Sequence, residues 1–182
     1  MKPSLPLFVR TALMIALGIA LPFAFHGIPN AGRIFLPMHI PAILAGLLFG
    51  PLSGLLTGAI TPLLSSLLTG MPPLAPVPIA VQMSVELAIF GLLAGVLYRV
   101  LRQNLVLSLI VAVFGGRFAY SVITLAFFPL VGLRPAPLGV VFGAALTMAV
   151  PGLLLQFVAI PAVVLAYEKL YPTKARKRNT AQ

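Results

Sequence analysis

The sequence predicts an all-α, polytopic membrane protein with six transmembrane helices. Of its 182 residues, 60% are hydrophobic and only 8% are charged, and the mean hydropathy is +1.13. The surface of a water-soluble protein does not tolerate so apolar a composition. The apolar stretches are continuous over about 14–25 residues, whereas a membrane barrel would show alternating segments of about 10 residues. Helices are therefore favoured, in one membrane domain over residues 1–182.

The first predicted helix covers about residues 7–25 and follows the basic residue Lys2. A basic start followed by an apolar run is also typical of a cleaved signal peptide. No clean small-x-small cleavage site closes this run, so a membrane span is the preferred interpretation. Ala12, Ala16 and Ala20 recur every four residues, and such a stripe lets a neighbouring helix approach closely.

Helices 2 and 3 are predicted over about residues 36–49 and 52–68, joined by almost no loop. Gly50 ends one helix and Pro51 begins the next, which is the usual order of these two residues. The third helix carries a polar seam of hydroxyl side chains at intervals of four residues: Ser53, Thr57, Thr61 and Ser65. We interpret this seam first as a packing face with hydroxyls bonded to carbonyls of their own helix, and second as the lining of a cavity.

A loop with four prolines, residues 70–78, leads to helices 4 and 5 over about residues 77–98 and 105–128. Proline fixes φ and lacks a donor, so this loop is expected to be extended and stiff. In helix 4, Gln82 and Glu86 lie one turn apart. Helix 5 carries the strongest polar face of the chain: Arg117, Tyr120, Ser121 and Thr124.

The last apolar stretch, about residues 138–167, is too long for one straight span and contains two prolines. It is compatible with two spans or with one kinked helix. With six spans and a cytoplasmic N-terminus, most basic residues and the basic tail 172–182 lie inside, and only Arg33 and Arg134 fall in outer loops. The positive-inside rule therefore favours six spans, with both termini in the cytoplasm.

The net charge of +10 does not predict nucleic-acid binding, because the basic residues sit where membrane topology places them. Cysteine is absent, which excludes thiolate chemistry. His26 and His39 with one buried Glu complete no plausible metal set. The sequence has no Walker A lysine, HExxH or GxSxG motif. We therefore expect neither enzymatic activity nor a cofactor nor a metal.

Two residues of opposite charge are predicted at similar depth in the membrane. At about 1.5 Å per residue, Glu86 lies roughly 13 Å below the outer start of helix 4, and Arg117 roughly 16 Å below the outer end of helix 5. They form a structural ion pair, line a ligand site, or do both. Our hypothesis is that Arg117 binds an anionic or carbonyl group of a ligand. His39 is interpreted first as a packing residue and second as a ligand contact.

Several short blocks spread along the chain form a specific combination. They are Ala12-x-x-x-Ala16, residues 36–46 (LPMHIPAILAG), 50–54 (GPLSG), 68–73 (LTGMPP), 86–88 (ELA) and 91–95 (GLLAG). With this combination the chain resembles, over nearly its whole length, the substrate-binding (S) components of energy-coupling factor (ECF) vitamin transporters.

The resemblance implies a six-helix protein of a prokaryotic plasma membrane with both termini in the cytoplasm. Family members bind a vitamin near the outer face, using the loops after helices 1 and 3 and helices 4 to 6. Carried over by position, the substrate site comprises Asn30, Arg33, His39, Gln82, Glu86, Arg117, Tyr120 and Ser121. The stripe Ala12, Ala16 and Ala20 matches the surface that docks on a transmembrane coupling subunit. Two ATPases then supply the energy, and the docked protein topples to release the vitamin inward.

The sequence does not identify the vitamin. Pantothenate is the first candidate, because the Arg117 face suits a carboxylate, and cobalamin, a pyridoxine-like compound and riboflavin stay open. Two other classes also stay open. One is a self-contained secondary carrier or channel for a polar metabolite, and the other is a structural or assembly protein of the membrane that binds no small molecule.

Overall fold

A computed structural model describes residues 6–25, 35–75, 77–132, 134 and 136–171 of the chain. This part forms a bundle of seven α-helices: α1 Leu7–Ala20, α2 His39–Phe49, α3 Pro51–Thr69, α4 Ile79–Gly95, α5 Leu105–Phe127, α6 Leu138–Met148 and α7 Val150–Leu170. A 3₁₀ segment, Leu21–Phe25, extends α1, a π-helical turn, Val96–Val100, extends α4, and a 3₁₀ turn, Pro129–Val131, follows α5. None of these described residues forms a β-strand, so the all-α class is confirmed for them.

Five helical stretches are long and apolar enough to cross a membrane: Leu7–Ala24, Pro51–Thr69, Ile79–Val100, Leu105–Phe127 and Val150–Leu170. Helices α2 and α6 are apolar but have only 11 residues each. At 1.5 Å per residue each of them covers about 16 Å, roughly half of a hydrocarbon core of about 30 Å. The six-span count and the cytoplasmic termini therefore stay predictions.

Two of the differences from the predicted helix boundaries occur at a proline. Helix α2 begins at His39 rather than near residue 36, because Leu36 has a positive φ of 51° and the residue before a proline is disfavoured in helical conformation. The last apolar stretch is two helices that meet at Ala149 (φ −90°, ψ −5°). Pro151 explains this break, since it offers no N–H to the carbonyl of Thr147 one turn earlier.

Helices α2, α3 and α4 approach one another backbone to backbone at three glycines. A Cβ atom at Gly91 of α4 would fall on the backbone carbonyl of Gly54 in α3, and one at Gly46 of α2 would fall on the carbonyl of Gly91. Small residues allow such close contacts within a membrane, where packing and dispersion drive helix association. The contact holds α4 close to α2 and α3, and thereby places the polar face of α4, one to two turns from Gly91, inside the bundle.

Helix α1 packs on α3 through the polar seam of α3. The hydroxyls of Thr11 and Ser53 are 2.8 Å apart, and a Cβ atom at Gly18 would lie 2.6 Å from Cγ2 of Thr61. Thr61 also donates a hydrogen bond to the carbonyl of Thr57 at 2.6 Å. These contacts confirm the interpretation of the seam as a packing face. The opposite face of α1 is left uncovered by the described part of the chain.

Candidate functional site

Contacts at one end of the bundle set the relative directions of the helices. The ring of Phe49, the last residue of α2, lies 6.2 Å from the ring of Tyr167 near the end of α7. The hydroxyl of Tyr98, just after α4, donates to Oε1 of Glu168 at 2.6 Å. Helices α2, α4 and α7 therefore end at the same side, and α5 begins there. The loop 70–78 lies at the opposite end.

Four polar side chains form a layer on top of the hydrophobic core, and we call this set the polar layer: His39, Glu86, Arg117 and Gln156. Each lies one helical turn beyond a core residue, toward the end that carries the loop 70–78. The corresponding core residues belong to one buried cluster: Ile43, Phe90, Val113 and Ile160. The members of the polar layer expose between 1% and 5% of their surface.

Glu86 is the centre of the polar layer. Its Oε1 lies 2.8 Å from Nη1 of Arg117, and its Oε2 lies 3.6 Å from Nε2 of His39. The ring of His39 also meets the ring of Phe90 edge to face at 5.2 Å. The ion pair that the similar depth of Glu86 and Arg117 predicts is therefore present, and it neutralises two charges that would be costly alone in this environment.

A second contact lies beyond the polar layer, one turn from Glu86 along α4 and two turns from Arg117 along α5. The hydroxyl of Thr124 donates to Oε1 of Gln82 at 3.3 Å, which joins α5 to α4. The hydroxyl of Ser121 donates to the carbonyl of Arg117 at 2.9 Å. The hydroxyl proton of Ser121 is therefore used in a hydrogen bond within α5. Tyr120 is half-buried and, with Thr124, borders a cleft of about 310 Å³ between α5 and α6.

The predicted site residues fall into three groups. His39, Gln82, Glu86, Arg117 and Ser121 are all buried. Tyr120 lies beside the cleft between α5 and α6. Asn30 and Arg33 lie outside the described residues. The cleft is not lined by Glu86 or Arg117. The side chains of Glu86 and Arg117 are instead in direct contact with each other.

Several buried polar atoms have no hydrogen-bond partner within the described part of the chain. Around the ion pair they are Nε and Nη2 of Arg117, Nε2 of Gln82, the ring nitrogens of His39, Oε1 of Glu86 and both amide atoms of Gln156. Leaving a buried donor unpaired costs about 1–3 kcal/mol, more if it is charged. Unpaired donors outnumber unpaired acceptors among these atoms, and Arg117 alone contributes two of the donor nitrogens.

Sequence reasoning missed Gln156 as a member of this cluster. A glutamine within a long apolar helix, one turn before Ile160, is the sequence feature that could have indicated it. Metal binding has no support in the described ranges, since no group of three His, Cys, Asp or Glu side chains there could hold an ion.

The predicted docking stripe lies on the uncovered face of α1. Ala12, Ala16 and Ala20 are exposed, whereas Thr11, Met14 and Gly18 face the bundle. Ala12 and Ala16 also line an apolar groove of about 510 Å³ between α1 and α3. A helix from another protein could therefore reach this stripe.

Comparison with known proteins identifies a family. The sequence model described as "ECF transporter, substrate-specific component" matches residues 7–165. No curated protein and no solved structure shows a significant match. The family consists of substrate-binding components of transporters rather than enzymes, and it implies a small-molecule substrate and docking with ECF coupling and ATPase modules. With its apolar helices this indicates a multi-pass protein of a prokaryotic membrane. Because the match covers most of its length, the chain belongs to the family of substrate-specific components of ECF transporters.

Proposed function

We propose that this S component captures a water-soluble vitamin carrying an anionic group at the outer face of the plasma membrane. Pantothenate is the first candidate. The observation that carries the proposal is the surplus of buried hydrogen-bond donors around the Glu86–Arg117 pair. Docking on the coupling subunit and two ATPases would then deliver the vitamin to the cytoplasm.

Arg117 is the residue with most capacity left for a ligand. Its Nη1 meets Glu86, while Nε and Nη2 have no partner among the described residues. A guanidinium presents its N–H groups in a planar fork that matches the two oxygens of a carboxylate. A ligand carboxylate would supply acceptors for the two unpaired nitrogens of Arg117. His39, Gln82, Glu86, Tyr120 and Ser121 would complete the described part of the site, with Asn30 and Arg33 contributed by the loop after α1.

The cleft between α5 and α6 supports a route into this site. It is lined by Thr124, whose hydroxyl contacts Gln82. A movement of the short helix α6 away from α5 would extend the cleft toward the polar layer. Its volume of about 310 Å³ is at the lower end of the range for small-molecule sites, about 300–1,000 Å³. A small vitamin is therefore favoured over cobalamin.

Native mass spectrometry of the purified protein tests the proposal by identifying a retained compound, followed by equilibrium dialysis with radiolabelled pantothenate. We expect Arg117→Ala to weaken binding strongly and Arg134→Ala, a matched change in an exposed loop, to leave it unchanged. A folded Arg117→Ala variant with wild-type affinity would refute the role of Arg117. Uptake into liposomes without ATPases, at a rate comparable to the full transporter, would instead establish a self-contained carrier.

The exposed alanine stripe supports the docking part of the proposal. Ala12, Ala16 and Ala20 present only methyl groups on the uncovered face of α1. A helix of the coupling subunit could approach this face closely enough to gain dispersion contacts, which drive helix association in lipid. The stripe is therefore proposed as the docking surface.

A further inference from the structure

Gln156 is a buried amide with no role in the site outlined so far. It exposes 1% of its surface, and neither Nε2 nor Oε1 has a hydrogen-bond partner in the part of the chain that the structure describes. An amide can make up to four hydrogen bonds, two as donor and two as acceptor. A helix that keeps such a group unpaired among apolar neighbours lowers its own stability.

One ring contact and membership of a shared buried cluster support placing Gln156 at the depth of the substrate site. The rings of Phe49 and Tyr167 are in contact. His39 lies ten residues before Phe49 and Gln156 eleven residues before Tyr167, which is about 15 Å and about 16 Å along parallel helices. One turn below, Ile43 and Ile160 share the same buried cluster. Gln156 therefore belongs to the layer of His39, although the sequence places it on a different helix.

We propose that Gln156 is a specificity-determining contact of the transported substrate, an inference that rests on the proposed function. Its amide would bind a group that both donates and accepts hydrogen bonds, such as an amide or a hydroxyl beside a carbonyl. The substrate class is then an anion for Arg117 joined to a neutral amide or hydroxyl group for Gln156. Pantothenate has this chemistry, since it carries a carboxylate, an amide and two hydroxyls.

A structural role and a substrate-binding role of Gln156 predict different stabilities of the ligand-free variant. If Gln156 formed a hydrogen bond that holds the fold together, its removal would lower the stability without ligand. If its partner is the substrate, an apolar side chain of similar size removes an unpaired group, and ligand-free stability is kept or raised. Only the affinity for the substrate then falls, because the site leaves a polar group of the ligand unpaired.

The test compares Gln156→Leu with Gln103→Leu, the same change at an exposed position after α4. The nearly isosteric Gln156→Met serves if the leucine variant does not fold. Melting in detergent is followed by circular dichroism, because a chain without cysteine gives no signal with thiol-reactive dyes. Binding is measured by equilibrium dialysis with radiolabelled pantothenate, and with riboflavin, pyridoxine and cobalamin.

We expect Gln156→Leu to melt without ligand at or above the wild-type temperature and to bind pantothenate at least about tenfold more weakly than the wild type. The control Gln103→Leu should match the wild type in melting temperature and in affinity. A lower melting temperature without ligand, or wild-type affinity, overturns the inference. Wild-type protein that retains no vitamin in native mass spectrometry and binds none of the four compounds counts against the proposed function itself, and the two failures are thereby distinguished.

Discussion

Removing the charge of Glu86 is the sharpest test of how the buried cluster is held. Glu86 and Arg117 are 2.8 Å apart, with side-chain exposures of 2% and 6%. At an effective dielectric constant of about 20, their Coulomb attraction is about 6 kcal/mol, which offsets part of the desolvation of the two groups. Breaking a buried pair from one side costs about 3–5 kcal/mol. We therefore expect Glu86→Gln to lower the melting temperature by about 6–20 °C.

The two halves of the pair are expected to respond differently. A carboxyl left alone can take up a proton, whereas an arginine cannot lose one. Glu86→Gln should therefore destabilise the protein more than Arg117→Met, and the double variant should be less destabilised than the sum of the two, because it leaves neither charge unpaired.

Thermal melts by circular dichroism in detergent, without ligand, measure these differences. Arg134→Gln is the matched control, since it removes an arginine charge from an exposed position. Additive effects in the double variant, or a melting temperature of Glu86→Gln equal to that of Arg134→Gln, would refute the reasoning.

Three further predictions concern packing, docking and topology. Gly91→Ala should destabilise the fold by about 1–3 kcal/mol, because its Cβ would meet the backbone of Gly54. The control Gly143→Ala in α6 places its Cβ where no atom lies within 4 Å, and it should be neutral or stabilising by up to about 1 kcal/mol. Equal melting temperatures of the two variants would contradict this prediction. Ala16→Leu should weaken co-purification with the coupling subunit and keep pantothenate binding, while Ala126→Leu on an exposed face of α5 should change neither; unchanged assembly would remove the α1 proposal. The topology can be tested by cysteine labelling, since the chain has no cysteine of its own. With a cytoplasmic N-terminus, Arg134→Cys should react with a membrane-impermeant maleimide in intact cells, and Gln103→Cys should react only after permeabilisation. The reverse pattern would exclude a cytoplasmic N-terminus.

Much of the candidate site could be predicted from single helices. The spacing of Gln82 and Glu86, and that of Arg117 and Thr124, assigns each pair to one helical face, and the rise per residue gives its depth. Similar depth of opposite charges in lipid made an ion pair one of the two interpretations left open, because either charge alone would be costly. The structure brings Glu86 and Arg117 together as expected.

Other parts of the site depended on information that no single helix carries. Ser121 shares a face with Arg117, but its hydroxyl bonds to the backbone of its own helix. Gln156 lies some forty residues from Arg117 in the sequence, and only the packing of α7 on α2 brings it into the same layer. Of the two prolines in the last apolar stretch, Pro151 follows a break and Pro161 lies inside α7.

The sequence by itself determined the apolar, membrane-type composition, the helical class, the family resemblance and the positions of the charged residues along their helices, because composition, periodicity and rise per residue are local properties. Only the tertiary structure decided which helices are neighbours and which way their faces turn. That choice depends on contacts between distant segments, such as Gly54 with Gly91 and Phe49 with Tyr167. These contacts stabilise the structure only once the helices have assembled, so no single helix contains the information that specifies them.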